Sequence, residues 1–459
     1  MSTDTMWPDG PLLAYYGDDF TGSTDAMEAM TAAGVPTVLF LDVPAPEMLE
    51  RFPAVRCIGI AGSSRGRTPE WMDAEFPRAF AALAALKAPI LHYKVCSTFD
   101  SSPTIGSIGR AIDIGTRHMP GRWSPTIVGA PRLGRHQVFG NLFAIVHGVG
   151  YRLDRHPTMS RHPVTPMVEA DLRRHLSGQT DRRIELVDML QLRNGNAAGR
   201  IAEFMSEEAP VVFLDVLDDE TLVAAGRLVW EGRGAGIFSA SSSGLQYALA
   251  AYWRQLGLLP AEPSLRRTGP VGQIAVVSGS CSPVTAAQIE SARRHGFHLE
   301  RLRLDAALDE KTRDAEIERV VGIATAIVRD GGSPLVFSAK GPDDESVLGF
   351  DPIAERAGLS RTEAARAVGA CLAEVMRRIL DRTALRRVVV AGGDSSGEVA
   401  SALQIEALTV AAGLAPGAPL CRAWSRLPKR DGLEIVLKGG QMGSEDFFSL
   451  ARDGVAPSP

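Results

Sequence analysis

The chain has 459 residues, a formal net charge of −5 and a pI near 6.0, with 45% hydrophobic and 22% charged residues. That balance fits a globular protein of two or three domains that buries its own cores without disulfides or structural metals. It argues against a nucleic-acid binder, which would carry a basic face, but leaves room for a small anion at a local site.

Residues 1–10 carry Asp4 and Asp9 and no basic segment ahead of an apolar one, so no secretory leader is expected. Short apolar runs at 12–16, 37–41, 57–61, 90–94, 126–130 and 211–216 are predicted strands. Segments 23–33, 70–86, 105–116 and 244–256 between or after them show apolar residues at three- and four-residue spacing and are predicted helices. Residues 140–165, rich in His, Arg and Pro, break the rhythm and are expected to form a long functional loop or an inserted subregion. The stretch LLPAEPSLRRTGPV at 258–271 reads as a linker, which divides the chain into domains 1–262 and 263–459. Beyond it the predicted strands are 274–277, 334–337, 387–391 and 434–437, with helices at 283–295, 306–329, 361–380 and 396–408. Strand–helix alternation of this kind predicts an α/β protein, each domain built on a mainly parallel sheet flanked by helices. The five cysteines, with no CxxC pair, point to a reducing cytoplasm, and no run is long and apolar enough for a membrane span.

Polar clusters gather where strands of the first domain end, which is where open α/β sheets bind ligands. In YGDDFTGSTD, Asp18 and Asp19 follow the first strand and Thr21, Gly22 and Ser23 open a helix. A carboxylate there can take a proton from a substrate hydroxyl, or can simply cap the helix. KVCSTFDSS supplies Lys94, Ser97, Thr98, Asp100, Ser101 and Ser102, a set that suits an anionic ligand or a Ser-rich helix cap. Arg65 is a third candidate, Arg132, Arg135, His136 and Gln137 a fourth, and Arg161, His162, Thr165 and Pro166 a fifth. Together they describe a pocket for a small, oxygen-rich anion. The spacing of His136, His156 and His162 matches no common ligand pair, so no protein-bound metal is expected.

The second domain has three glycine- or serine-rich turns after predicted strands. Ser278, Gly279, Ser280, Ser282 and Thr285 form the first, with Cys281 as a packing residue. Gly392, Gly393, Asp394, Ser395 and Ser396 form the second, and Gly439, Gly440 and Gly443, beside Lys438, the third. Small residues ahead of helix N-termini let backbone N–H groups approach phosphates. GxxxxGK[ST] and GxGxxG are absent, which excludes a standard P-loop enzyme and disfavours a nicotinamide domain; HExxH and the protein-kinase set are absent too.

In order and combination, GDDFTGSTD, KVCSTFDSS, RHPVTPM, VSGSCSPVTAAQ, AGGDSSGEV and LKGGQMG resemble the four-carbon acid sugar kinase family over almost the whole chain. The resemblance implies a sugar-acid domain, an ATP domain and an active site in the cleft between them. It implies ATP and Mg²⁺ as cofactors, and phosphorylation of a four-carbon acid such as 3-oxo-tetronate, threonate or erythronate. Asp18 and Asp19 would be catalytic, one of them taking the proton, with Arg65, Lys94, Ser97 and Asp100 binding the sugar acid. Ser280, Ser282, Gly392, Gly393, Asp394, Ser395, Gly440 and Gly443 would hold the nucleotide. The implied partner is the small sugar acid, with no nucleic acid and no membrane; a homodimer is one assembly open to the chain. Departures from the family pattern at the Tyr-Tyr-Gly opening, in APRLGRHQVFGN and at Gly439 and Gln441 bear on the substrate and bring in 3-oxo-isoapionate as an alternative. A non-catalytic sugar-acid-binding regulator and a phosphate-ester isomerase or hydrolase are the competing classes.

Overall fold

The computed structural model describes residues 7–146, 148–162, 164–205, 209–261 and 265–454. The chain divides into two compact units, Met1–Ser264 and Leu265–Pro459.

The main sheet of the first unit uses β1 (Leu13–Gly17), β2 (Thr37–Phe40), β3 (Cys57–Ile60) and β4 (Ile90–Lys94). A further strand joins it from later in the chain, beyond β5 (Ser124–Thr126), β6 (Arg135–Val138), β7 (Asn141–Val146), β8 (Val149–Arg152), β9 (Ile184–Val187) and β10 (Val211–Leu214); this is β11 (Ile237–Ser241). The order β11-β4-β1-β3-β2 is parallel throughout. β1, β4 and β11 are buried at every position, as expected of strands covered on both faces. From β1 the chain goes out to β2 and back to β3 on one side, then crosses to β4 on the other. β1 is therefore the topological switch, and the loops after β1, β3 and β4 open at one edge. One face is packed by the helix Pro69–Ala85, whose Phe76 and Phe80 meet Tyr16 and Phe238 at ring separations of 5.3 and 5.6 Å. Each such buried ring contributes roughly 2 kcal/mol of burial free energy.

Residues 140–165, expected as a loop or insertion, carry regular structure: β6, β7 and β8 form an antiparallel sheet. Phe139 and Gly140 join β6 to β7 with φ of +49° and +79°, a two-residue hairpin turn, and the buried Asp215 secures it by accepting from both their N–H groups. β5 stops at Thr126 rather than running to 130, because the Ile127 N–H turns to the Ser241 hydroxyl. β5, β10 and β9 make a third, parallel sheet; β9 and β11 were not among the predicted strands.

In the second unit, β12 (Ala275–Ser278), β13 (Phe297–Arg301), β14 (Ser333–Phe337), β15 (Arg387–Ala391), β16 (Ala407–Ala415), β17 (Ala418–Trp424) and β18 (Glu434–Lys438) form the order β13-β14-β12-β15-β18-β17-β16. The first five run parallel and the last two attach antiparallel. The predicted helix 396–408 is in fact Gly393–Ala402, and Leu408 lies in β16. The Pro416-Gly417 pair turns β16 into β17, a hairpin that a 3.6-residue pattern conceals. The predicted helix 306–329 is two helices, Leu304–Leu308 and Arg313–Arg329. Ile274, Val276, Leu335, Val389, Val436, Phe447 and Phe448 lie in the core of this unit.

Candidate functional site

At the switch point of the first unit, Asp18 follows β1, Arg65 follows β3 and Cys96 follows β4. Arg65 donates from Nε to Asp18 Oδ2 at 3.0 Å and from Nη2 to Asp18 Oδ1 at 2.9 Å. The Cys96 N–H donates to the same Oδ2 at 3.2 Å. Backbone bonds tie the three loops further: Asp18 N–H to the Lys94 carbonyl at 2.8 Å, and Arg65 N–H to the Asp18 carbonyl at 3.0 Å. Asp18 is thus buried and saturated.

Asp19 caps the helix Phe20–Ala32, its Oδ1 accepting from Gly22 N–H at 2.6 Å. Its Oδ2 is 2.7 Å from Arg65 Nη1, and its side chain keeps 29% exposure against 5% for Asp18. Burial pushes the Asp19 carboxyl up and Arg65 pulls it down; with Asp18 adding to the rise, the net direction is upward. A Cβ on Gly22 would lie 3.1 Å from Lys94 Nζ and 3.6 Å from Asp18 Oδ1, so both aspartates and the lysine crowd one point. Lys94 is buried, donates to the Val95 carbonyl at 3.1 Å and stands 3.9 Å from Asp25.

Asp100 accepts from the Thr98 hydroxyl at 2.6 Å. Burial pushes its carboxyl up, but the Arg65 charge and the Thr98 and Cys96 hydrogen bonds outweigh that, and the net shift is down. Ser97 is half-buried beside this group. Phe99 between them sits at φ +55°, a strained backbone that its buried ring, 5.7 Å from Phe213, holds in place. Ser101 is taken by His175 and Gln179, and Ser102 by its own turn.

In the fourth and fifth clusters three groups have partners within the chain. His136 Nδ1 pairs with the Leu217 carbonyl, Gln137 donates to Asp215, and His162 Nδ1 accepts from the Thr165 N–H. Two contributors escaped sequence reasoning. The Cys96 N–H acts through backbone, which no side-chain pattern reports, and Asp215 lies far from any recognisable motif.

In the second unit the three turns converge. The Gly279 N–H donates to the Ala391 carbonyl and the Gly392 N–H to the Lys438 carbonyl, both at 2.9 Å. Ser280 Oγ accepts from the Ser282 N–H at 3.2 Å, and Ser282 caps the helix Pro283–Arg294. A Cβ on Gly440 would collide with the Ser280 hydroxyl, and one on Gly392 would lie 3.5 Å from Ser280 N and 3.2 Å from Ser395 Oγ. Gly393 opens the helix Gly393–Ala402, and Ser395 in its first turn is buried. Asp394 belongs to that helix, but its side chain lies outside those described. Gly443, at φ +85°, packs against Phe447, and its carbonyl accepts from Gln288. Close backbone with small side chains around two helix N-termini fits a polyphosphate. Among the described residues no group of three or more His, Cys, Asp or Glu could cage a metal ion.

Comparison with known proteins agrees with this division. A model of a sugar-binding N-terminal domain matches residues 13–249, and one of a nucleotide-binding C-terminal domain matches 275–448. A Paraburkholderia graminis protein named 3-oxo-isoapionate kinase is 70% identical, covering 98% of this chain and 96% of its own. Proteins named 3-oxo-tetronate kinase from Pseudomonas fluorescens and Cupriavidus necator are 30% identical, each covering 96% of both chains. A solved Salmonella typhimurium protein described as a putative tRNA synthase aligns with TM-score 0.78 at 24% identity, covering 96% of this chain and 98% of its own. A Haemophilus influenzae protein aligns with TM-score 0.73, also at 24% identity, over 95% of this chain and 98% of its own. At that identity the likeness is one of fold. Among the described residues no helix is long and apolar enough to cross a membrane.

Proposed function

The chain belongs to the four-carbon acid sugar kinase family, and from that premise we propose that it phosphorylates a hydroxyl of 3-oxo-isoapionate, with ATP as donor and Mg²⁺ on the nucleotide. It is a phosphotransferase acting on a sugar-acid hydroxyl. The observation that carries the choice of substrate is the 70% identity, over nearly the full length, to a protein named for 3-oxo-isoapionate, against 30% for those named for 3-oxo-tetronate.

In this reading Asp19 is the catalytic base and Asp18 a positioning residue. Asp18 is saturated by Arg65 and Cys96, whereas Asp19 keeps exposure and an upward-shifted carboxyl, which suits a proton acceptor. Asp19 takes the hydroxyl proton as the new O–P bond forms, and ADP departs with the electrons of the broken P–O bond. Arg65 holds Asp19 from one side and Lys94 adds positive charge nearby. Ser280, Gly392, Gly393, Ser395 and Gly440 would hold the phosphates, with Ser282 and Gly443 shaping their turns. Bound ATP supplies the phosphoryl group and Mg²⁺ offsets its charge; positioning and charge stabilisation are most of what such a transfer needs.

The test is a coupled ADP-release assay over a panel of sugar acids, with γ-labelled ATP to follow the product. The expected outcome is label on 3-oxo-isoapionate and a kcat/KM about 10-fold or more above that for 3-oxo-tetronate. A reversed preference would transfer the substrate assignment to 3-oxo-tetronate. Absence of label on any sugar acid would defeat the kinase reading.

A further inference from the structure

Lys438, at the end of β18, is the one lysine among the largest fully buried side chains of the molecule. Its Nζ donates to Thr285 Oγ1 at 3.5 Å and stands 5.6 and 6.0 Å from the ring centres of Phe447 and Phe448. Its surroundings can be taken element by element. The helix Pro283–Arg294 presents Thr285, the helix Phe447–Asp453 its two rings, and β15 the alanine in register, Ala391. None of these is an anion, and among the described residues no carboxylate pairs with Lys438. A buried ammonium without an anion is costly, and a helix N-terminus beside it adds to the cost.

The contact leads to the glycine turn. Thr285 Oγ1 donates in turn to the Gly440 carbonyl at 2.8 Å. That carbonyl is drawn inward, so the trans peptide turns the Gln441 N–H the opposite way, on the exposed side of the turn. The ammonium thus sits one residue layer behind the turn on which the nucleotide reading places phosphate.

We propose that Lys438 is a positioning cation for the nucleotide phosphates: it fixes the Gly440 peptide through Thr285, and its charge is the one the phosphates neutralise on binding. The inference rests on the nucleotide reading of this unit and adds a residue to it. A consequence is proton linkage. Burial pushes the Lys438 ammonium down to about 8 in the free protein, and a bound polyanion would restore it upward.

The experiment is calorimetric titration of the full chain with ADP at about pH 8.5, where phosphates are fully ionised, in two buffers of different ionisation enthalpy. The expected result is about a 10-fold weaker Kd in Lys438→Met, together with net proton uptake on ADP binding by the wild-type chain that the variant loses. Thr285→Val is expected to keep the uptake, since the lysine remains, while weakening binding. A Lys438→Met chain that unfolds at the wild-type Tm and binds ADP as tightly as the wild type would overturn the inference. Uptake that persists in Lys438→Met would overturn it equally. No ADP binding at all would defeat the underlying nucleotide reading instead.

Discussion

Two neighbouring aspartates are held differently by one arginine that reaches both. Arg65 spends a two-pronged grip on Asp18 and a single nitrogen on Asp19. Asp19→Asn is expected to lower kcat by about 100-fold or more while leaving Tm close to that of the parent. Asp18→Asn is expected to act on stability first, at about 2 kcal/mol, since it loosens a buried charge pair whose arginine keeps a second partner; thermal denaturation beside steady-state kinetics separates the two effects. The acid limb of kcat/KM against pH, which reports the free enzyme, gives the sign independently. The base works deprotonated, so activity falls on acidification, and because the Asp19 carboxyl is raised, the midpoint lies above the ordinary aspartate range. That limb should vanish in whatever activity Asp19→Asn retains. Both residues were legible in GDDFTGSTD, but their different partners were not, since these depend on an arginine 47 residues away.

The element that decides the second unit is the turn after β18. Gly440 and Gly443 share it and meet different neighbours. A Cβ on Gly440 would intrude on Ser280 and hence on the cradle, while one on Gly443 would strike the Phe447 ring from a left-handed backbone. Gly440→Ala is expected to raise KM for ATP about 10-fold with little change in Tm. Gly443→Ala is expected to cost about 2 kcal/mol of stability. Equal effects of the two on KM and Tm would contradict this assignment. The glycines themselves, spaced after a predicted strand, were visible in the chain. The β16–β17 hairpin beside them was not, since residues 396–408 carry helix-like spacing into what becomes a strand. Likewise the β6–β8 sheet hid within a segment of mixed composition. Its hairpin depends on Asp215, which follows β10 and reaches it by tertiary contact.

For the whole chain, the matches at 13–249 and 275–448 assign sugar binding and nucleotide binding to separate stretches of sequence. Hydrogen exchange on the full protein can test this without any variant. ADP is expected to protect amides in 279–282, 392–396 and 439–443, and the sugar acid those in 18–24, 63–66 and 95–101. ADP protection centred on 18–24 would reverse the assignment.

Much of the architecture follows from local rules acting along the chain. Apolar strands ending in Asp, Ser or Gly, followed by capped helices, dictate parallel sheets with polar loops at one edge. The order of motifs dictates the family. Tertiary structure alone decided which polar groups remain available. Arg65, Gln137 and Ser101 look alike as surface polar groups in the sequence, yet folding spends each on a specific partner. Lys438, visible in the sequence only as a neighbour of a glycine turn, becomes a buried cation facing no described carboxylate. The physical reason is that hydrogen bonds and ion pairs are made across the sheet, between residues tens to hundreds of positions apart, where spacing along the chain carries no information.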